Sequence, residues 1–217
     1  MPTVGARFVW RMEDLLDLYA QPYQRRYPTV CFDEVPYQLV AETRAPVQTR
    51  QGLRYDYEYE RKGSCNLFMM FEPLGGWRHV RVTDSRTKID FAECIKELVE
   101  VHYPEAERIR LVLDNLNTHM PSSLYEAFSP EQARRLVQKL EFHYTPVHAS
   151  WLNMAEIEIS VLTEQCIGRR IGERAELVSE IASWERSSNE SGRGVRWSFT
   201  TGSAREKLKR LYPSHSS

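Results

Sequence analysis

Residues 108–119 read RIRLVLDNLNTH, a run of aliphatics that ends on an acid. Ile109, Leu111, Val112 and Leu113 have the length and content of a buried strand. The strand stops at Asp114, with the turn-prone Asn115 and Asn117 behind it. An Asp in this place starts a loop, because its short side chain bonds nearby backbone amides. The same construction stands in TVCFDE, residues 29–34, where Thr29 to Phe32 run into Asp33. If the two strands are parallel neighbours, both carboxylates leave the sheet at one edge, where the clefts of open α/β sheets lie.

The elements around these two strands set the fold class. Met12, Leu15, Leu16 and Tyr19 fall at helical spacing, and Pro22 ends that opening helix. A first strand over residues 28–33 and a polar connection follow. In SCNLFMMFEPLGGWRHVRVTD, residues 64–84, two apolar runs flank Pro73-Leu74-Gly75-Gly76, which predicts a hairpin. Ile89, Ala92, Ile95, Leu98 and Val99 share one face of a helix over Lys88–His102, stopped by Pro104. After the strand at 109–114 come a helical stretch to about Leu136, a short strand LEFHYTP, and helices over 153–167, 174–186 and 204–211. SSNESGRG, residues 187–194, reads as the most loop-like segment. Helices between strands imply parallel pairing, and the hairpin adds an antiparallel part. The expected fold is therefore α/β, a mixed central sheet flanked by helices, in an order similar to ribonuclease-H-like folds. The segments are a helical lead-in over 1–23, a main domain over 24–190 and a closing loop with a short helix over 191–217.

Two aspartates held close repel, and a cation between them relieves the repulsion. Oxygen-only ligands select a hard ion such as Mg²⁺ or Mn²⁺. Such a site expects a third acid, and WLNMAEIEIS, residues 151–160, offers two. Asn153 is a good N-cap with Glu156 in the first helical turn, yet Asn153-x-x-Glu156 is also close to a capping box that would consume the glutamate. Glu158 is the rival, set at helical spacing among Met154, Ile157, Val161 and Leu162. The residues leave the choice open.

Composition narrows the classes. The 217 residues, 41% hydrophobic and 27% charged, suit one large globular domain. There is no run of the roughly 18 apolar residues that a membrane span needs, and the first residues do not read as a signal peptide, so a cytoplasmic, membrane-free protein is expected. Cys31, Cys65, Cys94 and Cys166 are scattered, with no CxxC pair, and read as small buried thiols. A net charge of −1 leaves only local patches, Arg169-Arg170 and Lys207-Lys209-Arg210, to track phosphates.

CFDE, LVLDNLNTH and TPVHASWLNMAEIE together resemble the three acidic blocks of DDE transposases of the mariner superfamily, most closely the six-thirty family of bacterial insertion sequences. The resemblance runs from about residue 24 to 213. The family's third block reads Leu-Asn-Pro-Ile-Glu, and Leu152-Asn153-Met154-Ala155-Glu156 stands in the same frame, so the resemblance selects Glu156. It implies that Asp33, Asp114 and Glu156 are catalytic metal ligands holding Mg²⁺ or Mn²⁺, as two ions, for DNA strand cleavage and strand transfer. The implied partners are transposon ends and target DNA in a bacterial cytoplasm, with a homodimer or a chain bearing a helix-turn-helix. About 28 residues precede the first strand, too few for the family's two end-reading helical units, so a catalytic half alone is expected. The alternative is an inactive fragment that binds DNA or an intact transposase as an inhibitor. Asn115 and His119 could orient a phosphate or merely cap a turn. His143 and His148 read as structural, and Trp151 as a base-stacking platform or an apolar anchor. A pure metal-ligand role for Asp114 predicts that Asp114→Asn leaves the metal-free fold intact or slightly more stable.

Overall fold

Thr29–Glu42 forms one strand, β1, rather than stopping at Asp33. The computed structural model describes residues 5–43, 47–49, 52–54 and 58–213. The outer ends of the expected lead-in and closing segments (1–4 and 214–217) and parts of the expected polar connection lie outside the described residues. The helix α1 spans Ala6–Tyr19, and β2 (Val47–Thr49) pairs with β3 (Gly52–Arg54) as a separate ribbon. β4 (Tyr59–Glu72) and β5 (Trp77–Thr83) make the expected hairpin, followed by α2 (Lys88–Glu97), which continues as a π-helical turn over Leu98–His102. Then come β6 (Ile109–Leu113), α3 (Ser122–Ala127), α4 (Pro130–Gln138) and β7 (Leu140–Tyr144). α5 (Met154–Leu162), α6 (Arg174–Ser191) and α7 (Thr201–Lys207) close the chain.

The main sheet has the order β5-β4-β1-β6-β7. β4 pairs antiparallel with β1 on one side and with β5 on the other, while β6 pairs parallel with β1 and with β7. Much of the polar connection expected after Asp33 is therefore the outer half of the β1–β4 ladder, which runs from Cys31↔Phe71 to Glu42↔Tyr59. Its β4 side, Tyr59 to Ser64, is exposed and mostly polar, and on the β1 side Pro36 and Gln38 break the apolar pattern, which hides the pairing from hydrophobic periodicity.

Strand alternation sends side chains to two cores. Cys31, Met69, Phe71 and Val112 pack with α1, α5, α6 and α7, whereas Val30, Phe32, Phe68, Met70, Leu111 and Leu113 pack with α2, α3 and α4. The helix α1 belongs to the first core, with Met12, Leu15 and Leu16 buried there. Tyr19 donates a 2.7 Å hydrogen bond to the carbonyl of Leu152, just ahead of α5. On α2, Ala92, Ile95, Leu98 and Val99 are buried as expected, but Ile89 is exposed, since Phe91 and Cys94 take the inner face in the first turns. Cys31, Cys65 and Cys94 are free, buried thiols and Cys166 is half-buried. Among the described residues no helix is long and apolar enough to cross a membrane.

The expected loop SSNESGRG is instead the last turns of α6, which end at Gly192 in the left-handed conformation, φ 58°. Arg78 on β5 holds this region. Its Nε donates 2.7 Å to Glu158, and its terminal nitrogens donate to the carbonyls of Gly76, Ser188 and Arg193 at 3.0, 2.8 and 2.9 Å. The Asn189 side chain accepts from the Arg78 amide and donates to its carbonyl, both at 2.9 Å. Gly76, φ +65°, is required where the hairpin turn meets the chain end, because a Cβ there would lie 2.5 Å from the Gly192 carbonyl oxygen.

Arg78 and Glu158 are both at least 95% buried, so removing one charge strands the other. Glu158→Gln is expected to destabilise the protein by about 3–5 kcal/mol in chemical denaturation. A loss below about 1 kcal/mol would mean that the carbonyl cage alone satisfies Arg78.

Candidate active site

β6 accompanies β1 only over Thr29↔Arg110, Val30↔Leu111 and Cys31↔Val112. Asp33 lies two residues beyond that pairing, and Asp114 is the first residue after β6. Both carboxylates thus stand at the carboxyl edge of the parallel strands, as expected, although Asp33 is inside a strand. The antiparallel ladder to β4 carries β1 onward, with Asp33 opposite Met69.

Asn153 brings the third acid to this edge. Its side-chain oxygen caps α5 by accepting from the Ala155 amide at 3.2 Å. Its side-chain nitrogen donates to the Phe32 carbonyl at 2.9 Å and lies 3.4 Å from Asp33 Oδ2. The backbone amide of Asn153 bonds the Ser150 carbonyl at 2.7 Å, so the capping box that would have consumed Glu156 does not form. Glu156, in the first turn of α5, is half-buried and close enough to Asp33 for its charge to be felt there. Glu158 is committed to Arg78.

The charges explain the protonation of the cluster. Burial, followed by the like charges of Glu34, Asp114 and Glu156, pushes Asp33 up to about 7, against the opposing bond from the Glu34 amide. Burial acts upward on Asp114 too, but the bonds from His119 and from the Leu116 amide outweigh it and hold its carboxyl below the ordinary range. His119 is fully buried, with Nδ1 2.6 Å from Asp114 Oδ1 and Nε2 3.0 Å from Glu34 Oε2. The Glu34 contact is an ion pair without hydrogen-bond alignment. Burial lowers His119, but the two carboxylates prevail and push it up to about 9. Its ring packs edge-on to Phe32 and tilted on Phe91. His119 therefore orients Asp114 from beneath rather than facing a ligand. Glu34, its other partner, stands in the quoted CFDE block, but nothing local marked it as buried.

The remaining expectations are placed as follows. Asn115 donates 2.6 Å to the Thr145 carbonyl and accepts from Arg11, which lies over the Tyr144 ring. It ties the β6 and β7 ends to α1. His143 pairs with Asp14 and Glu141, while His148 is an exposed turn residue at φ 63°. Trp151 stacks on Trp197 at 6.2 Å and meets Phe199, anchoring the closing segment to the start of α5. Arg169 is matched by Glu176 and Glu180, and Arg170 by Glu42, so that patch is compensated charge.

An acidic cluster where the parallel strands of a mixed sheet end is an arrangement that metal-dependent nucleases and nucleotidyl transferases can use. The chain belongs to the DDE superfamily endonucleases, whose family profile matches residues 28–178. No curated protein sequence matches it. Among solved structures it is similar to the Mos1 transposase paired-end complex with the left transposon end, at 12% identity and a TM-score of 0.57 over 87% of this chain and 59% of that one. The Mos1 strand transfer complex matches at 11% identity and 0.59 over 94% and 59%. The Mos1 mariner paired-end complex with Mn matches at 11% and 0.56 over 95% and 62%. The likeness establishes the ribonuclease-H-like fold, and the chain spans about three fifths of each relative's length.

Two outcomes follow from these charges. Asp33 binds its proton more tightly folded than unfolded, so ionising it costs stability as pH rises from 3.8 to about 7 and no further cost accrues above. In EDTA, wild type should lose stability relative to Asp33→Asn across that window, by at most roughly 1.4 kcal/mol per pH unit. Parallel melts that do not converge at low pH would contradict it. For Asp114, whose Asn variant the metal-ligand role alone expects to leave the metal-free fold intact or slightly more stable, the structure adds a charge partner, buried His119 at 2.6 Å. Asp114→Asn keeps an acceptor for Leu116 and His119 but removes the carboxylate charge, so it should lower the metal-free melting temperature, because buried His119 then has only Glu34 as a counter-charge.

Proposed function

We propose that this chain is the catalytic domain of a DDE transposase, cutting DNA strands and joining the freed 3′ ends to target DNA. The observation that carries the reading is the Asn153 latch, which ties the first turn of α5, and with it Glu156, to Asp33 and the end of β1. Asp33, Asp114 and Glu156 then form an oxygen-only set in which Asp33 feels the like charges of the other two, while His119 pairs with Asp114. Such a set fits hard divalent cations. Mg²⁺ or Mn²⁺, as a pair, would supply Lewis acidity at the scissile phosphate and lower the pKa of the attacking oxygen.

The chain's own residues do the rest. Asn153 fixes the distance between α5 and β1. His119, held between Glu34 and Asp114, keeps the Asp114 carboxylate ionised and aimed, because its charge favours the deprotonated partner. Tyr19 braces the Leu152 carbonyl, so α1 supports the turn that carries the latch. Transposon ends and target DNA are the proposed substrates, in a bacterial cytoplasm. A homodimer, or pairing with a chain that carries a helix-turn-helix, would supply end recognition.

Plasmid nicking with the purified chain tests this. Cleavage is expected with Mg²⁺ or Mn²⁺, not with EDTA, and is expected to fall to background in Asp33→Asn, Asp114→Asn and Glu156→Gln. Full activity in Glu156→Gln would remove the third ligand from the proposal. A folded wild type that binds DNA but never cuts it would favour the inhibitor reading.

A further inference from the structure

The edge strand β5 and the end of α2 bring two histidines and a glutamate together away from the acidic cluster. His79 Nε2 lies 3.4 Å from Glu97 Oε1, and His102 Nε2 lies 3.7 Å from the same oxygen. The three ligand atoms are within 4.8 Å of one another. We propose that His79, Glu97 and His102 are a second metal site, which takes a transition-metal ion of the Zn²⁺ class with water in the fourth position.

Distances favour an ion over a set of direct bonds. Ligands at about 2.0–2.1 Å from a tetrahedral ion are about 3.3 Å apart, close to the 3.4 and 3.7 Å observed. Both exceed an ordinary N–H···O distance. His102 Nε2 is buried and has no hydrogen-bond partner. The two imidazole rings are 4.6 Å apart, so charging both is unfavourable.

The surroundings orient the donors as outer groups do in metal sites. His79 Nδ1 lies 3.0 Å from Glu185 Oε1, which fixes the tautomer that turns the Nε2 lone pair inward. The second Glu185 oxygen is occupied by the Val80 amide at 3.0 Å. Glu97 gives its other oxygen to Arg81 at 2.9 Å, leaving Oε1 for the site. An open cavity of about 630 Å³, lined by His79, Glu97 and Glu185, provides an entry path.

Two nitrogens and one oxygen select Zn²⁺, Co²⁺, Ni²⁺ or Cu²⁺ over Mg²⁺. The site is two strands from β1, and His79 faces the α2 side of the sheet, opposite Asp33. An ion there would clamp the π-helical turn after α2 to the exposed edge of the sheet and, through Glu185, to α6.

Cobalt reports the geometry. In millimolar Mg²⁺, added to fill the acidic cluster proposed above, titrating the full chain, freed beforehand of transition metals, with Co²⁺ should give the intense visible band of a four-coordinate ion at one equivalent, abolished by Zn²⁺. The band should persist in Asp33→Asn and vanish in both His79→Gln and His102→Gln, checked for folding by circular dichroism in EDTA. Glu185→Gln should weaken Co²⁺ binding about 10–100-fold, and Zn²⁺ should raise the melting temperature of wild type but of neither His variant. No band, a band retained in a folded His variant, or a band lost with Asp33 overturns the proposal. Should one His variant fail to fold, the other decides.

Discussion

β1 pairs with β6 through three residues only, whereas its antiparallel ladder with β4 runs on to Glu42. Beyond Cys31 the strand therefore has a hydrogen-bonded strand on one side only, while on the other its backbone is met by the Asn153 side chain and, further along, by the Ile171 carbonyl, which accepts from the Val40 amide at 2.9 Å. The Phe32 carbonyl, released from the parallel ladder, is a buried acceptor that must find a donor, and Asn153 supplies it. One requirement of backbone chemistry thus fixes where α5 begins, and with it the height of Glu156 above the sheet. It also explains why Asp33 is held at a defined level although it sits in the middle of a strand.

That arrangement concentrates negative charge. Asp33, Asp114 and Glu156 feel one another, Glu34 adds a buried carboxylate from beneath, and His119 is the counter-charge between Glu34 and Asp114. The edge is consequently uneven. Asp114 is held ionised by its partner, while Asp33, lacking a cation, holds its proton more tightly. A cluster of this kind is stable as a receptor for positive charge and strained without it.

Away from the cluster, Arg78 does for the distal side what Asn153 does for the site. Its guanidinium gathers α5, the end of α6, the hairpin turn and the closing segment. Because Glu158 and Glu156 lie on different sides of α5, the helix is oriented by a buried ion pair on one side and presents an acid on the other. The second core, under α2, α3 and α4, has its polar centre at the site itself, where aromatic packing around Phe32 and Phe91 reaches buried His119 and its two carboxylates.

By itself the sequence determined the local elements: the apolar runs of β4, β5 and β6, the Pro-Gly hairpin turn, the helix faces of α1 and α2, and the two acids that end apolar runs. These are short-range signals, because periodicity, turn chemistry and strand termination act within a few residues. The outer half of β1 was not legible, since its hydrogen bonds go to the polar, exposed outer half of β4 and Glu34, Pro36 and Gln38 interrupt its apolar residues. The last turns of α6 were hidden in a polar Ser-Asn-Glu-Ser stretch that only contacts with Arg78 make helical. Local pattern could not tell Glu156 from Glu158, and only the family resemblance of the third block chose Glu156, because burial of one and partial exposure of the other depend on Arg78, eighty residues earlier. The tertiary structure alone decided those matters, and also gave Glu34 and His119 their joint role, because an ion pair or a buried acceptor is satisfied by whatever the fold brings near it, at any separation in sequence.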